Sequence, residues 1–361
     1  MLTFQMVSFG RELYAVWHIF IAGSPDVPNT YLRRLSDEGE PLEPSRPLFD
    51  ALTTRVALAP SYSGRTIASY CERDADSLDH PGSQFLDADG RPLGIVPERG
   101  DADTRCNTPT NVVWTGERHL FARTRIGGGT WLEVAGRDGE SLGVEELDWS
   151  WGTGWGWGSN LLVDAFDGTR AWSFFMEEGS RNVSVLAIDA RGGHERYTLA
   201  EPLAPPDAGP WGGGGNASVL ADEHGVIVGF VQYLRTDGGR DGVELRLGLF
   251  RYDVDERALV PLGGLPVNVE GQPRILRRSA DELLLVSADA SRSMVGLPQV
   301  EVHRATGEGE LLASWVLESP GDDGIRGVDV HTHLGRVFVG YVRVLDFGQT
   351  RIELLELGCT P

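Results

Sequence analysis

The chain has 361 residues, a net charge of −21 and 47 glycines, nearly twice the ordinary glycine share of about 7%. Hydrophobic residues at 41% and aromatics at 9% supply a core and exclude a disordered chain, and no apolar run approaches the ~18 residues of a membrane-spanning helix. All 32 basic residues are arginine against 53 acids, a balance that repels phosphate backbones and anionic headgroups and excludes nucleic acid as an expected partner.

In chain order, a short apolar strand follows a Gly-Arg-like turn seven times. The strands are Leu13–Trp17, Thr66–Tyr70, His119–Arg123, Ala171–Phe175, Val226–Phe230, Leu283–Ser287 and Val337–Tyr341, with starts 53, 53, 52, 55, 57 and 54 residues apart. The turns before them include Gly10-Arg11, Gly64-Arg65, Gly116-Glu-Arg118, Gly168-Thr-Arg170, Glu223-His-Gly225 and Gly335-Arg336. Glycine there supplies the positive φ of a tight hairpin, so each unit opens with strand A and strand B. A second ladder lies downstream, at Leu35–Gly39, Leu86–Gly90, Ala135–Gly139, Ile188–Gly192, Tyr252–Glu256, His303–Gly307 and a curtailed Leu355–Gly358. Asp and Gly in these links predict a turn from strand C to strand D.

Two ladders of one period, with no amphipathic helix of useful length, predict an all-β fold: a seven-bladed β-propeller of about 52 residues and four antiparallel strands per blade. One such unit cannot bury both faces of its sheet alone, so neighbours must pack on it. The expected organisation is one domain, 1–361, with units near 1–50, 51–105, 106–157, 158–212, 213–268, 269–322 and 323–361. The last blade is expected to lack its fourth strand, and the native chain is expected to begin upstream of Met1 or to close with three strands.

The Asp-rich turn units resemble those of secreted or envelope bacterial propeller-repeat proteins, in the neighbourhood of WD40-like and TolB-like repeats. The resemblance spans all seven units and is architectural. Complete kelch, Trp-Asp and sialidase Asp-box patterns are absent, so it assigns no catalytic residue.

Cys71 ends strand B of unit two and Cys106 precedes unit three, positions that a propeller brings to one rim. They are a candidate disulfide, which suits an oxidising, extracytoplasmic compartment, against two unrelated thiols. Cys359 is left over, and no signal peptide opens the sequence.

The run Asp148-Trp149-Ser-Trp151-Gly-Thr-Gly-Trp155-Gly-Trp157-Gly158 links units three and four, and Pro210-Trp211-Gly-Gly-Gly-Gly215 links four and five. Indole faces stack on sugar rings or anchor a protein partner; here Trp149, Trp151, Trp155, Trp157 and Trp211 either form a ligand site or pack between blades. Asp74, Asp76 and Asp79 offer oxygen ligands that resemble part of a calcium loop, against a solvated acidic loop. Asp329, His331 and His333 alternate along strand A of unit seven and share a face. They are a candidate metal set, or polar residues hydrogen-bonded near the channel. No Gly-x-Ser-x-Gly, His-Glu-x-x-His or phosphate-loop motif occurs.

The sequence therefore favours a non-catalytic propeller that displays rim loops to a glycan or protein partner, with calcium the one conceivable cofactor. A carbohydrate-active hydrolase or lyase using rim carboxylates is the first alternative, and an intracellular assembly scaffold the second. Oligomeric state and ligand identity are not legible.

Overall fold

A computed structural model describes residues 2–9, 11–19, 29–50, 53–73, 79–93, 111–124, 130–147, 165–176, 182–199, 215–235, 243–266, 274–288, 299–318, 324–344 and 350–357. These residues form seven successive antiparallel sheets, and the fold is a seven-bladed β-propeller. Blade 1 contains β1 (Leu2–Phe9), β2 (Glu12–Ile19), β3 (Thr30–Leu35) and β4 (Arg46–Pro47). Blade 2 contains β5 (Thr53–Pro60), β6 (Thr66–Arg73) and β7 (Asp79–Leu86), and blade 3 contains β8 (Asn111–Trp114), β9 (His119–Thr124), β10 (Thr130–Ala135) and β11 (Ser141–Leu147). In blade 4 lie β12 (Arg170–Met176), β13 (Val183–Asp189), β14 (His194–Thr198) and β15 (Gly215–Asn216). Blade 5 is β16 (Ser218–Asp222), β17 (Gly225–Arg235), β18 (Val243–Asp253) and β19 (Ala258–Pro266). Blade 6 is β20 (Arg274–Ser279), β21 (Glu282–Ala288), β22 (Gln299–Thr306) and β23 (Leu311–Glu318). Blade 7 is β24 (Gly324–His333), β25 (Arg336–Val344) and β26 (Thr350–Leu357), three strands among the described residues, as the sequence predicts.

Every apolar strand anticipated from the repeat lies inside a described strand, which is the second of a hairpin in every blade but blade 4, where it is β12. The turns obey the predicted chemistry. Gly64, Gly116, Gly168, Gly225 and Gly335 take positive φ between first and second strands, and Gly39, Gly90, Gly139 and Gly192 do so after the third. Three of these four turns, those of Gly39, Gly90 and Gly192, are capped by the side chain of a leading Ser or Asp: Asp87 Oδ1 accepts from the N–H of Asp89 at 2.9 Å and of Arg91 at 2.8 Å. Asp189 Oδ1 does the same for Arg191 and Gly193. Blade 6 departs from expectation, because its positive-φ residue is Gly309 rather than Gly307. Thr306 leads that turn, and Gly309 N–H returns to its carbonyl at 2.9 Å. In blade 4, β15 pairs with β12 at Phe175 and Met176, on the side of β12 away from β13.

The chain divides into two compact units, Met1–Trp149 with Asp323–Pro361, and Ser150–Asp322. In the first, blade 7 packs on blade 1, so residues from both ends of the sequence share one unit. Its cores lie between blades. Leu13, Ala15 and Trp17 of β2 pack with Phe338 of blade 7, whereas Tyr14 and Val16 of the same strand pack with Leu58, Ala68 and Tyr70 of blade 2. That is period-two alternation with both faces buried. Gly90 of the second blade's turn lies so close to blade 1 that a Cβ there would come within 2.6 Å of Leu32 and 2.8 Å of Phe9.

The second unit repeats the principle with larger rings. Trp172, Phe174, Phe230, Phe250 and Tyr252 form the core between blades 4 and 5, and Leu247, Leu249, Ile275, Leu283 and Leu285 fill that between blades 5 and 6. Guanidinium forks tie neighbouring blades at the surface. Arg277 Nε donates to Asp222 Oδ2 at 2.6 Å, and Arg257 donates to Glu195 at 2.7 Å while lying over the Tyr197 ring at 4.4 Å. A planar fork that pairs and stacks at once is a task for which lysine is no substitute.

Candidate functional site

An inner strand of a blade has one edge paired and one edge free, and its unpaired N–H and C=O groups need partners. In the first unit these partners are side chains of the next blade. The Gln5 amide of β1 donates to the Leu58 carbonyl at 2.8 Å and accepts the Leu58 N–H at 3.0 Å, so one side chain stands in for a missing ladder rung. On the other side of β1, the Met6 N–H donates to Asp329 Oδ2 of β24 at 2.7 Å.

This edge holds the polar cluster built by Ser8, Asp329, His331 and His333. Asp329 and His333 are buried. Ser8 Oγ lies 2.7 Å from His331 Nε2 and 2.9 Å from His333 Nδ1. A hydroxyl has one proton, so it donates to one imidazole and accepts from the other. The far nitrogen of His333, Nε2, faces Asp37 Oδ1 at 3.6 Å. That carboxylate favours the proton on Nε2, which leaves Nδ1 to accept from Ser8 and His331 to donate. The Asp-x-His-x-His alternation thus shares a face, as anticipated, and that face is turned onto β1. Its hydrogen-bond partners there include a backbone amide and a serine hydroxyl of blade 1. Among the described residues, no group of three or more His, Cys, Asp or Glu side chains is arranged to hold a metal ion.

A second histidine plays the same part between blades 2 and 3. His119 Nε2 pairs with Ser61 Oγ at 2.8 Å and Nδ1 with the Gly136 carbonyl at 2.9 Å. Its ring packs on Trp114 and Phe85 at 4.5 and 5.4 Å between centroids. Burial pushes its pKa below the ordinary 6.5, against the opposing pull of the Gly136 carbonyl. Sequence inspection missed both serines. Ser8 is 323 residues from His331, and only blade packing makes them neighbours.

The remaining predicted site residues are distributed as follows. Cys71 is buried in β6; Cys106 and Cys359 lie outside the described residues. Asp79 opens β7, and Asp74 and Asp76 lie outside the described residues. So do Trp149, Trp151, Trp155, Trp157 and Trp211. No helix among the described residues is long and apolar enough to cross a membrane.

No family model matches the chain, and no curated relative matches it. Among solved structures it is similar to a candidate 6-phosphogluconolactonase from Bacteroides uniformis, at 13% identity over 96% of this chain and 100% of that one, with a TM-score of 0.53. It is also similar to a polysaccharide lyase at 10% identity, covering 97% of this chain and 88% of that one, with a TM-score of 0.48. The first likeness bears on fold alone, and the fold it supports is the β-propeller.

Proposed function

We propose that this propeller is a binding protein, which offers its blade-to-blade connections to a glycan or protein ligand in an extracytoplasmic compartment. The observation that carries the proposal is the run of four indoles alternating with small residues, Trp149, Trp151, Trp155 and Trp157, in the connection between β11 and blade 4, with Trp211 in the next connection. Trp and Gly together offer flat apolar faces on a backbone that a ligand approaches closely. The described frame supports this division of labour. Ser8, Ser61, His119, His331 and His333 form hydrogen bonds within or between blades, which leaves recognition to the connections. A disulfide between Cys71 and Cys106 is part of the same proposal and would suit an oxidising compartment.

Binding to a glycan array is the direct test. Trp155→Ala and Trp157→Ala should each weaken any captured glycan at least tenfold with no change in melting temperature. Unchanged binding by the double variant would dismiss the indole site.

A further inference from the structure

Blade 6 carries a constellation that the repeat does not require. His303 of β22 stands directly opposite Ser314 of the outermost strand, β23, and Ser314 Oγ lies 3.0 Å from His303 Nδ1. Two residues back along β22, on the same face, is Glu301. Its Oε2 is 3.5 Å from His303 Nε2. The exposures form a gradient: Ser314 is exposed, His303 is 4% exposed and Glu301 is 0%. Among the described residues His303 Nε2 has no hydrogen-bond partner, and the Glu301 carboxylate faces it.

The apolar pattern of the strand does not call for this arrangement. A carboxylate and an imidazole withdrawn from water cost several kcal/mol unless tightly paired, and apolar residues of similar size usually do as well or better. Valines occupy the alternate positions of the same strand, Val300 and Val302, both fully buried. The geometry does suit an activated hydroxyl. A carboxylate beside Nε2 fixes the proton there, which leaves the Nδ1 lone pair to accept from Ser314. The 3.5 Å separation is that of a resting site, since such contacts tighten when substrate binds.

We infer that Ser314, His303 and Glu301 form a serine esterase centre on the outer strand of blade 6, with Ser314 the nucleophile, His303 the general base and Glu301 the residue that positions the imidazole. The Ser314 oxygen bonds to the ester carbonyl carbon while its proton passes to His303 Nδ1. The bond from that carbon to the alkoxy oxygen breaks, and the imidazolium returns the proton to the departing alcohol. Water then adds to the acyl-serine, giving its proton to Nδ1; the carboxylic acid leaves and the proton returns to Ser314 Oγ. Because β23 is the last strand of its sheet among the described residues, alternate N–H groups along its outer edge are available to the developing oxyanion.

The substrate class follows from the surroundings. Leu312 and Val316 share the face of Ser314 and are 52% and 45% exposed, and Leu311–Leu317 contains no charge. In a chain of net charge −21 this is a neutral apolar stripe, suited to esters with an uncharged acyl chain of a few carbons. The site lies within one blade and does not depend on the Trp connections.

The test uses the full chain with p-nitrophenyl butyrate as substrate and a fluorophosphonate as covalent probe. Wild type should turn over the ester and carry one phosphonyl adduct, located at Ser314 by peptide mass spectrometry. Ser314→Ala, an exposed position at which folding should be unaffected, should lose the adduct and at least 100-fold in kcat. Glu301→Gln should lower kcat with KM unchanged and alter the acid limb of the pH–rate profile, an effect that packing alone would not produce. Absence of an adduct, an adduct elsewhere, or equal hydrolysis by Ser314→Ala would overturn the assignment.

Discussion

Two blade-to-blade seams do the same topological task with opposite chemistry. Between blades 4 and 5 the contact is made by rings: Tyr252 meets Trp172 at 5.3 Å and Phe174 at 5.1 Å, edge to face, and Tyr197 shares a hydroxyl hydrogen bond with Tyr252. Between blades 7 and 1 an apolar layer of Phe4, Met6 and Phe338 is accompanied by Asp329, Ser8, His331 and His333. Rings supply area but choose no register, because an indole slides along an apolar face at little cost. Directional hydrogen bonds do choose one. The polar seam joins residues 323 to 325 apart, where no short link aligns the strands, and there register has to come from the contact itself.

The contrast breaks if ring loss is mild. Trp172 is 1% exposed, and its Nε1 donates to Asp167 Oδ2 at 2.7 Å. Trp172→Ala should cost about 3–5 kcal/mol in urea unfolding, and it also removes a donor from Asp167. Burial opposes the charge of that carboxylate, but hydrogen bonds from Trp172, Thr169 and Arg170 outweigh burial and hold its pKa below the ordinary value. Ser8→Ala should cost less, about 1–3 kcal/mol, because it strands polar nitrogens without removing area. The two seams differ in kind only if Ser8→Ala also loosens protection of the β1 and β24 amides in hydrogen exchange while Trp172→Ala leaves them protected.

A third seam, between blades 2 and 3, mixes both chemistries in one residue. His119 is buried among Trp114, Phe85 and Phe121 and takes its proton less readily than in the unfolded chain. The unfolded state therefore binds more protons as pH falls through 6.5, and stability drops on the acid side, while above that range the contribution is complete. Melting temperature measured from pH 8 to 5 should fall, and His119→Gln should flatten that slope even if it lowers the plateau.

The frame was legible because its constraints are local. A two-residue hairpin needs positive φ, and Gly64, Gly116, Gly168 and Gly335 supply it at fixed spacing; an Asx turn needs its acceptor two residues before the donor, as at Asp87 and Asp189. Where a local rule has two solutions the register slipped, as at Gly309 in place of Gly307. The polar clusters were not legible for the same reason inverted. Alternation in Asp329, His331 and His333 reads equally as metal ligands or as a buried edge, and what decides is Ser8, from the far end of the chain. Glu301, His303 and Ser314 sit on adjacent strands, and no spacing signature separates them from ordinary strand alternation.

The smallest expected effect is the sharpest comparison, because it touches neither seam's contacts directly. Of three described non-glycine residues with positive φ, Leu334 beside His333 and Arg257 after β18 hold φ of 49° and 51°. An L-residue in this conformation costs about 1–2 kcal/mol. Glycine would relieve that cost but adds about 0.5–1 kcal/mol of freedom to the unfolded chain. Leu334 is 60% exposed, so Leu334→Gly should raise stability by about 0.5–1 kcal/mol with the polar seam intact. Arg257→Gly should gain nothing, since the guanidinium that pairs with Glu195 and covers Tyr197 is lost with it. Equal gains at both turns would mean that the arginine adds nothing to the aromatic seam and that ring packing alone holds blades 4 and 5 together. A loss at Arg257 larger than the gain at Leu334 would mean that the aromatic seam, too, depends on a directional contact for part of its register.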